Sequence, residues 1–302
     1  MKELFIVYFA GLFVFHVLER MFPLRPAMRS GPTRRGYFAD LTASLVDGPV
    51  LSGLTKIASY WVISQVPRVT LTVADWTWVA QFGLFFVAND FGRYWLHRWH
   101  HALPFLWRLH RVHHTVVEMD CLSTFRVHVL EGVSKYGLLV LPFHLIGIPP
   151  GVIKVYSSID ILKGFWHHAN LKTCIGPLNY VLNSGEQHAW HHSTEARGQL
   201  ANYGSVLSIW DRLFGTFYWP RGEWPTTIGV EGMAAFPDTY HAQFASILYT
   251  DEDLQAKCAE HDDAAGEGAR APVTKIGPAF PLTAPALPEP PQAAAAPLNA
   301  SL

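Results

Sequence analysis

The chain has 302 residues, half of them apolar, 14% aromatic and only 16% charged, against about 25% charged in an ordinary soluble domain. A formal net charge of −1 leaves no basic excess to neutralise phosphates, which argues against a nucleic-acid partner. Cys121, Cys174 and Cys258 are an odd number without close spacing, so neither a disulfide framework nor a CxxC zinc or redox site is indicated.

Read from the N-terminus, the apolar run Leu4–Val17 reaches, with its flanks, the roughly 20 residues of a bilayer crossing. Lys2 is its one upstream basic residue and no small-residue cleavage site follows, so an uncleaved anchor is expected rather than a signal peptide. Leu41–Val66 and Trp76–Trp95 are the next two membrane candidates, parted by a short segment with Pro67 and Arg68. A fourth stretch, Tyr136–Ile148, breaks at Pro149-Pro150 and resumes as Val152–Trp166. It reads as a hairpin of two short helices dipping into or through the bilayer.

The loop after the first segment carries Arg20, Arg25, Arg29, Arg34 and Arg35, and the histidine region adds Arg98, Arg108 and Arg111. The positive-inside rule puts both on the cytoplasmic side. Ala256–Leu302 is Ala/Pro-rich with few large apolar residues and is expected to be a disordered tail after a domain at 1–255.

Three histidine clusters dominate: HRWHH at 97–101, HRVHH at 110–114 and HAWHH at 188–192. Helical residues three or four apart share a face, so each cluster can aim two or three imidazoles at one point. Eight such nitrogens exceed the four ligands of a tetrahedral zinc and suit two adjacent ions. Imidazole serves zinc, copper, iron and nickel alike, so spacing alone does not name the metal. HRWHH lacks the glutamate of a zincin helix.

Asp90, Tyr94, His97 and His101 fall on one helical stripe. Asp90, at the end of an apolar segment, is expected to accept an N–H from a ligand imidazole. His128 in TFRVHVLE and His167-His168 in FWHHAN flank segments returning to the same surface, which makes His128 and His168 further ligand candidates. His16, His144, His241 and His261 are isolated and read as structural or solvated. Asn202 after the last cluster is a candidate outer partner, and Trp210, Leu213, Phe214 and Phe217 a candidate interfacial face.

The order DFGRYWLHRWHHALPFLWRLHRVHH, TFRVH, FWHHAN, NSGEQHAWHHS and NYGSVLSIWDRLFGT resembles the fatty acid hydroxylase and sterol desaturase superfamily over roughly residues 85–220. With the apolar segments, the resemblance implies an all-α integral membrane helical bundle. It would have about four membrane segments, one a candidate re-entrant hairpin, and a cytosolic histidine-lined helical cap. It implies two irons held by His97, His101, His110, His113, His114, His168, His188, His191 and His192, with His128 at the family's Arg-x-His position although Val129 stands where proline is common. The implied activity is dioxygen-dependent hydroxylation of a lipid, fatty acyl chain or sterol; desaturation or ether-bond oxidation would use the same ligands. A membrane metal transporter is the competing class, but its ionisable groups would line a path rather than gather on one side.

No haem, iron–sulfur or flavin motif is present, so a separate ferredoxin or cytochrome b5-type donor is implied. The expected location is a bacterial inner membrane or the endoplasmic reticulum, with the active site on the cytoplasmic face.

Overall fold

The computed structural model of the protein describes residues 2–26, 31–51, 73–233 and 236–264, with a few positions between 53 and 65. Helix α1 spans Lys2–Met21. α2, Tyr37–Thr42, continues as a π-helical stretch, Ala43–Leu51, that contains Pro49. α3 is Trp78–Ala102, α4 Pro104–His114, α5 Val129–Leu145, α6 Pro150–His168 and α7 Gly185–His191. After several short turns, α8 closes the described chain at Asp251–Ala264. Among the described residues there is no strand; only isolated bridges such as Leu182 to Leu207 occur. The described chain is all-helical.

Local chemistry sets the boundaries. Thr77 caps α3 by accepting the Ala80 N–H at 3.4 Å. Pro104 ends that run and opens α4, where a missing N–H is harmless. Pro149-Pro150 separates α5 from α6 in the same way, so the expected break in the fourth apolar stretch is present. Ser184 and Gln187 form a capping box at the start of α7.

α1 lies along α6, and the approach is close. A Cβ on Gly11 would come within 2.8 Å of Leu162 Cδ2, so glycine lets the two helices meet. Tyr8, Cys121, Leu122, Phe165 and Ala169 form the core there. A second core, Phe85, Ile148, Val152 and Tyr156, joins α3 to α5 and α6. A third carries Val112, Met233 and Phe236 against Leu254 and Cys258 of α8.

Three sequence expectations change. Among the described residues, one helix, α1, is long and apolar enough to cross a membrane, by length and composition; four such segments are not found. α3 is interrupted by Asn89, Asp90 and Arg93, while α6 carries Lys154, Asp160 and Lys163. Several of these charges pair between helices, with Arg93 Nη2 3.0 Å from Asp160 Oδ2. Part of Leu41–Val66 lies outside the described residues. Second, the chain stays helical past residue 256, through Ala264, because Leu254 and Cys258 have a core to enter; residues 265–302 lie outside the described residues. Third, Arg34, counted toward cytoplasmic charge, is buried, its guanidinium 2.9 Å from Asp120 and 2.8 Å from Asp40.

Candidate metal centre

The three histidine clusters converge. His97, His101, His110, His114 and His191 bring one ring nitrogen each within 4.8 Å of one another, and His113, His168, His188 and His192 do the same beside them. The groups adjoin: the His114 and His192 rings stack with centroids 4.4 Å apart. The nine candidates named by the motifs therefore come together, as five and four. His128 does not join them. Its Nδ1 accepts the Leu130 N–H at 3.2 Å, capping α5, and its ring lies 4.7 Å from that of Phe244.

Helix geometry explains the sorting. Positions i and i+4 diverge by about 40° around the axis and i+3 and i+4 by about 100°. His97 with His101, and His110 with His114, accordingly enter the five-membered group, while His113 turns to the other. His188 and His192 share the four-membered group, and His191 crosses to the five. One HxxHH cluster thus serves two points, not one.

Each group is braced from outside. In the first, the Nδ1–H of His97 donates to Tyr203 O at 2.9 Å, that of His191 to Ala201 O at 2.7 Å, and that of His110 to Glu131 Oε1 at 2.9 Å. In the second, His113 donates to Arg126 O at 3.2 Å and His168 to Gly164 O at 3.0 Å. A neutral imidazole that donates through Nδ1 carries a bare lone pair on Nε2. These lone pairs face each other: His97 Nε2 is 3.0 Å from those of both His110 and His191, and His168 Nε2 is 3.2 Å from that of His113. No proton lies between them to make the contact favourable. Buried lone pairs in this arrangement require a cation, so the residues fit metal ions at both points. His101 has no hydrogen bond at either ring nitrogen, and His114 and His192 none at Nδ1.

Burial, followed by repulsion from neighbouring imidazoles, lowers His97, His101, His110, His113, His114, His188 and His192 well below the ordinary value of 6.5. Burial also takes His168 and His191 down to about 4. All nine are neutral at pH 7, the form that binds metal.

Two expected outer partners sit elsewhere. Asp90 accepts no imidazole N–H. Its carboxylate takes the N–H groups of Val206 at 2.8 Å and Leu207 at 3.0 Å and the Trp210 indole N–H at 2.9 Å, because its side chain points from α3 into the 206–210 loop. Asn202 stands at φ 58° and clamps that region, donating to Gln187 O and Tyr218 O and accepting the Tyr218 N–H. It reaches the histidines only through its neighbours, the carbonyls of Ala201 and Tyr203. Of the proposed interfacial face, Leu213 is strongly exposed at 66%; Phe214 instead packs on Trp95, and Phe217 on Tyr180.

Sequence reasoning missed two acids. Glu131 is fully buried. Burial pushes its pKa up, but Lys135, His100 and His113 prevail and lower it to about 2. The signal was present in RVHVLE, one helical turn beyond His128. Asp211 accepts the backbone N–H of Tyr203 and of Gly204, each at 2.8 Å, which fixes the carbonyl that holds His97. A Cβ on Gly204 would meet Leu207 O at 2.5 Å, so the NYG turn needs its glycine.

A cavity of about 300 Å³ opens onto His97, His110, His113, His168 and His188. Its lining is part apolar, with Phe85, Leu139, Val140 and Ile153, and part charged, with Arg93, Lys135 and Asp160.

The fatty acid hydroxylase family matches residues 82–216, the span that holds both histidine groups. Residues 82–216 thus carry a fatty acid hydroxylase domain, and the proteins the chain is similar to are lipid-modifying oxidoreductases. It is 29% identical to the ornithine lipid hydroxylase OlsE of Rhizobium tropici, over 76% of this chain and 71% of that protein. It is 37% identical to the alkylglycerol monooxygenase of Danio rerio over 47% of the chain, which spans only 30% of that relative. A putative Delta(7)-sterol-C5(6)-desaturase 2 of Arabidopsis thaliana is 25% identical over 72% of the chain and 78% of its own length. No solved structure matches the chain.

Proposed function

We propose that this protein is a membrane-bound di-iron monooxygenase that hydroxylates a lipid. The observation that carries this reading is the pair of adjoining histidine groups, buried and neutral, with Nε2 lone pairs turned inward and a partly apolar cavity at their edge. Closed-shell zinc could occupy such donors, but the superfamily's lipid oxidations need a redox metal, and imidazole suits iron. Two irons bound there would supply the electron transfer that splits dioxygen, one oxygen atom entering a C–H bond and the other leaving as water, with two electrons from a ferredoxin or cytochrome b5-type donor and two protons from solvent.

The chain's own residues do the rest. Tyr203, Ala201, Arg126 and Gly164 hold four imidazoles by their carbonyls, and Glu131 makes His110 more basic by accepting its Nδ1–H. The cavity wall holds an alkyl chain against His97, His113 and His168 and keeps water away. α1 anchors the protein in the bilayer, with Ile6, Phe13 and Val14 facing outward toward lipid. The α5–α6 hairpin enters the same membrane, and the histidine groups face the cytoplasm.

Hydroxylation is preferred because the similarity to OlsE, an ornithine lipid hydroxylase, runs along three quarters of the chain. Ether-bond oxidation is the second reading, favoured by the higher identity, 37%, to alkylglycerol monooxygenase over 47% of the chain. The test is to reconstitute purified, iron-loaded protein with lipid extract and an electron donor, and to weigh products by mass spectrometry. Gain of one oxygen in an intact lipid is expected. Loss of two hydrogens would overturn hydroxylation in favour of desaturation, and release of a fatty aldehyde would favour ether cleavage. A protein fully active with zinc alone would end the di-iron reading.

A further inference from the structure

A third donor cluster stands apart from the nine histidines. At the C-terminal end of α1, His16 and Glu19 meet Cys121, the first residue of the 3-10 turn Cys121–Phe125. His16 Nδ1 is 3.3 Å from Glu19 Oε1, Cys121 Sγ is 3.2 Å from the same oxygen, and Sγ to Nδ1 is 3.9 Å. Three donors bound to one tetrahedral zinc, at about 2.0 Å for nitrogen and oxygen and 2.3 Å for sulfur, lie about 3.3 to 3.6 Å apart. The observed triangle departs from that by only a few tenths of an ångström.

The outer contacts match as well. Glu19 Oε2 is already taken by the backbone N–H of Cys121 at 3.0 Å and of Asn170 at 3.3 Å, which leaves Oε1 turned to the imidazole and the thiol. Glu19 is 5% exposed and Cys121 fully buried, whereas the His16 side chain is 34% exposed. That is two anchored donors and one at the molecular surface near the C-terminal end of α1. Sequence spacing hid the cluster, since 102 residues separate Glu19 from Cys121.

We propose that His16, Glu19 and Cys121 bind a single zinc-type divalent cation, distinct from the metal centre formed by the histidine groups. Binding replaces the thiol proton, which leaves to solvent, with a metal–thiolate bond. The ion ties the end of α1 to the turn that leads into Arg126, whose carbonyl orients His113. It therefore joins the N-terminal helix to the wall of the main site.

Cobalt(II) reports this site selectively, because sulfur-to-cobalt charge transfer absorbs in the near ultraviolet and the nine histidines offer no sulfur. Full-length detergent-solubilised protein titrated with Co²⁺ should develop that band, saturating at one equivalent above the histidine-bound metal. Cys174→Ser should retain the band and Cys121→Ser should lose it. His16→Gln, at a partly exposed position, should keep the fold by circular dichroism and weaken the band's midpoint by about 10-fold or more. No band in the wild type, or a band that survives Cys121→Ser, overturns the proposal. If Cys121→Ser fails to accumulate, an unchanged midpoint in His16→Gln overturns it.

Discussion

The His110 Nδ1–H donates to Glu131 Oε1 across 2.9 Å, and both side chains are buried. Lys135 Nζ approaches the same oxygen at 2.5 Å, so the carboxylate stays ionised between a cation and an imidazole. A metal-bound histidine backed in this way is a stronger ligand, and losing such a partner typically costs about 10–100-fold in affinity or activity. Glu131→Gln should give a partial loss of turnover and of retained iron, and Glu131→Ala a larger one, because the amide still accepts the N–H but carries no charge. Iron per chain and lipid turnover, measured side by side, check this. Full activity in both would reduce Glu131 to a packing residue.

Asp90 stabilises the loop that carries its neighbours toward the site, and its removal should be felt as stability. Asp90→Ala leaves two backbone N–H groups and the Trp210 indole without their buried acceptor, at about 1–3 kcal/mol for each unsatisfied group. A loss of about 3 kcal/mol or more is expected, read as a clear fall in Tm. Asp90→Asn keeps one acceptor oxygen and should fall between. Iron content per folded chain should remain near wild type in Asp90→Asn. Selective iron loss without a change in Tm would return Asp90 to the role of an imidazole partner.

Much of the site is legible in the residues, and its errors have physical causes. The motif spacing brings together the nine histidines, because i and i+4 on a helix share a face whatever surrounds them. What the shared-face rule overlooks is the separation of i+3 from i+4 by about 100°, and so His113 and His114 are assigned to one point although they serve two. Asp90 lies on the histidine stripe in projection, yet its carboxylate leans away to a loop more than 100 residues on. Among the described residues one of the expected membrane segments, α1, stands out by length and composition; a linear window sees the apolar runs in α3 and α6 but not that Arg93 and Asp160 pair across them. Glu131 has a local signal one turn beyond His128, whereas Cys121 is found only when distant elements are brought into contact.

The five-and-four division makes unequal predictions for adjacent residues. His113→Ala leaves three imidazoles in its group, whereas His114→Ala leaves four in the other. Purified from iron-replete cells, His113→Ala should hold about one iron fewer than wild type, and His114→Ala should retain more metal than His113→Ala, by elemental analysis. His128→Ala removes the cap of α5, costing about 1 kcal/mol, and the ring contact with Phe244, but no donor of either group, and should keep its iron. Equal metal loss from His113→Ala and His114→Ala would contradict the two-group arrangement.

Acid should dismantle the centre in a defined window. In the unfolded chain these histidines titrate near 6.5, whereas in the fold burial lowers His168 and His191 to about 4 and the other seven well below their ordinary value. Below about pH 6.5 the unfolded chain therefore takes up protons that the native chain refuses, so stability must fall as pH falls. Above about pH 7 neither state binds these protons and this contribution is constant. For His168 and His191 the loss is complete once pH is below about 4. Metal-stripped protein should thus show a Tm that is level between about pH 7 and 8 and drops steeply from about pH 6.5 downward, more steeply than one histidine would produce. Bound iron competes with the same protons, so the holoprotein should hold its Tm to lower pH and then release metal as it unfolds. A Tm that rises on acidification of the stripped protein would show that the imidazoles gain protons in the fold, and the neutral, inward-facing lone pairs would have to be abandoned.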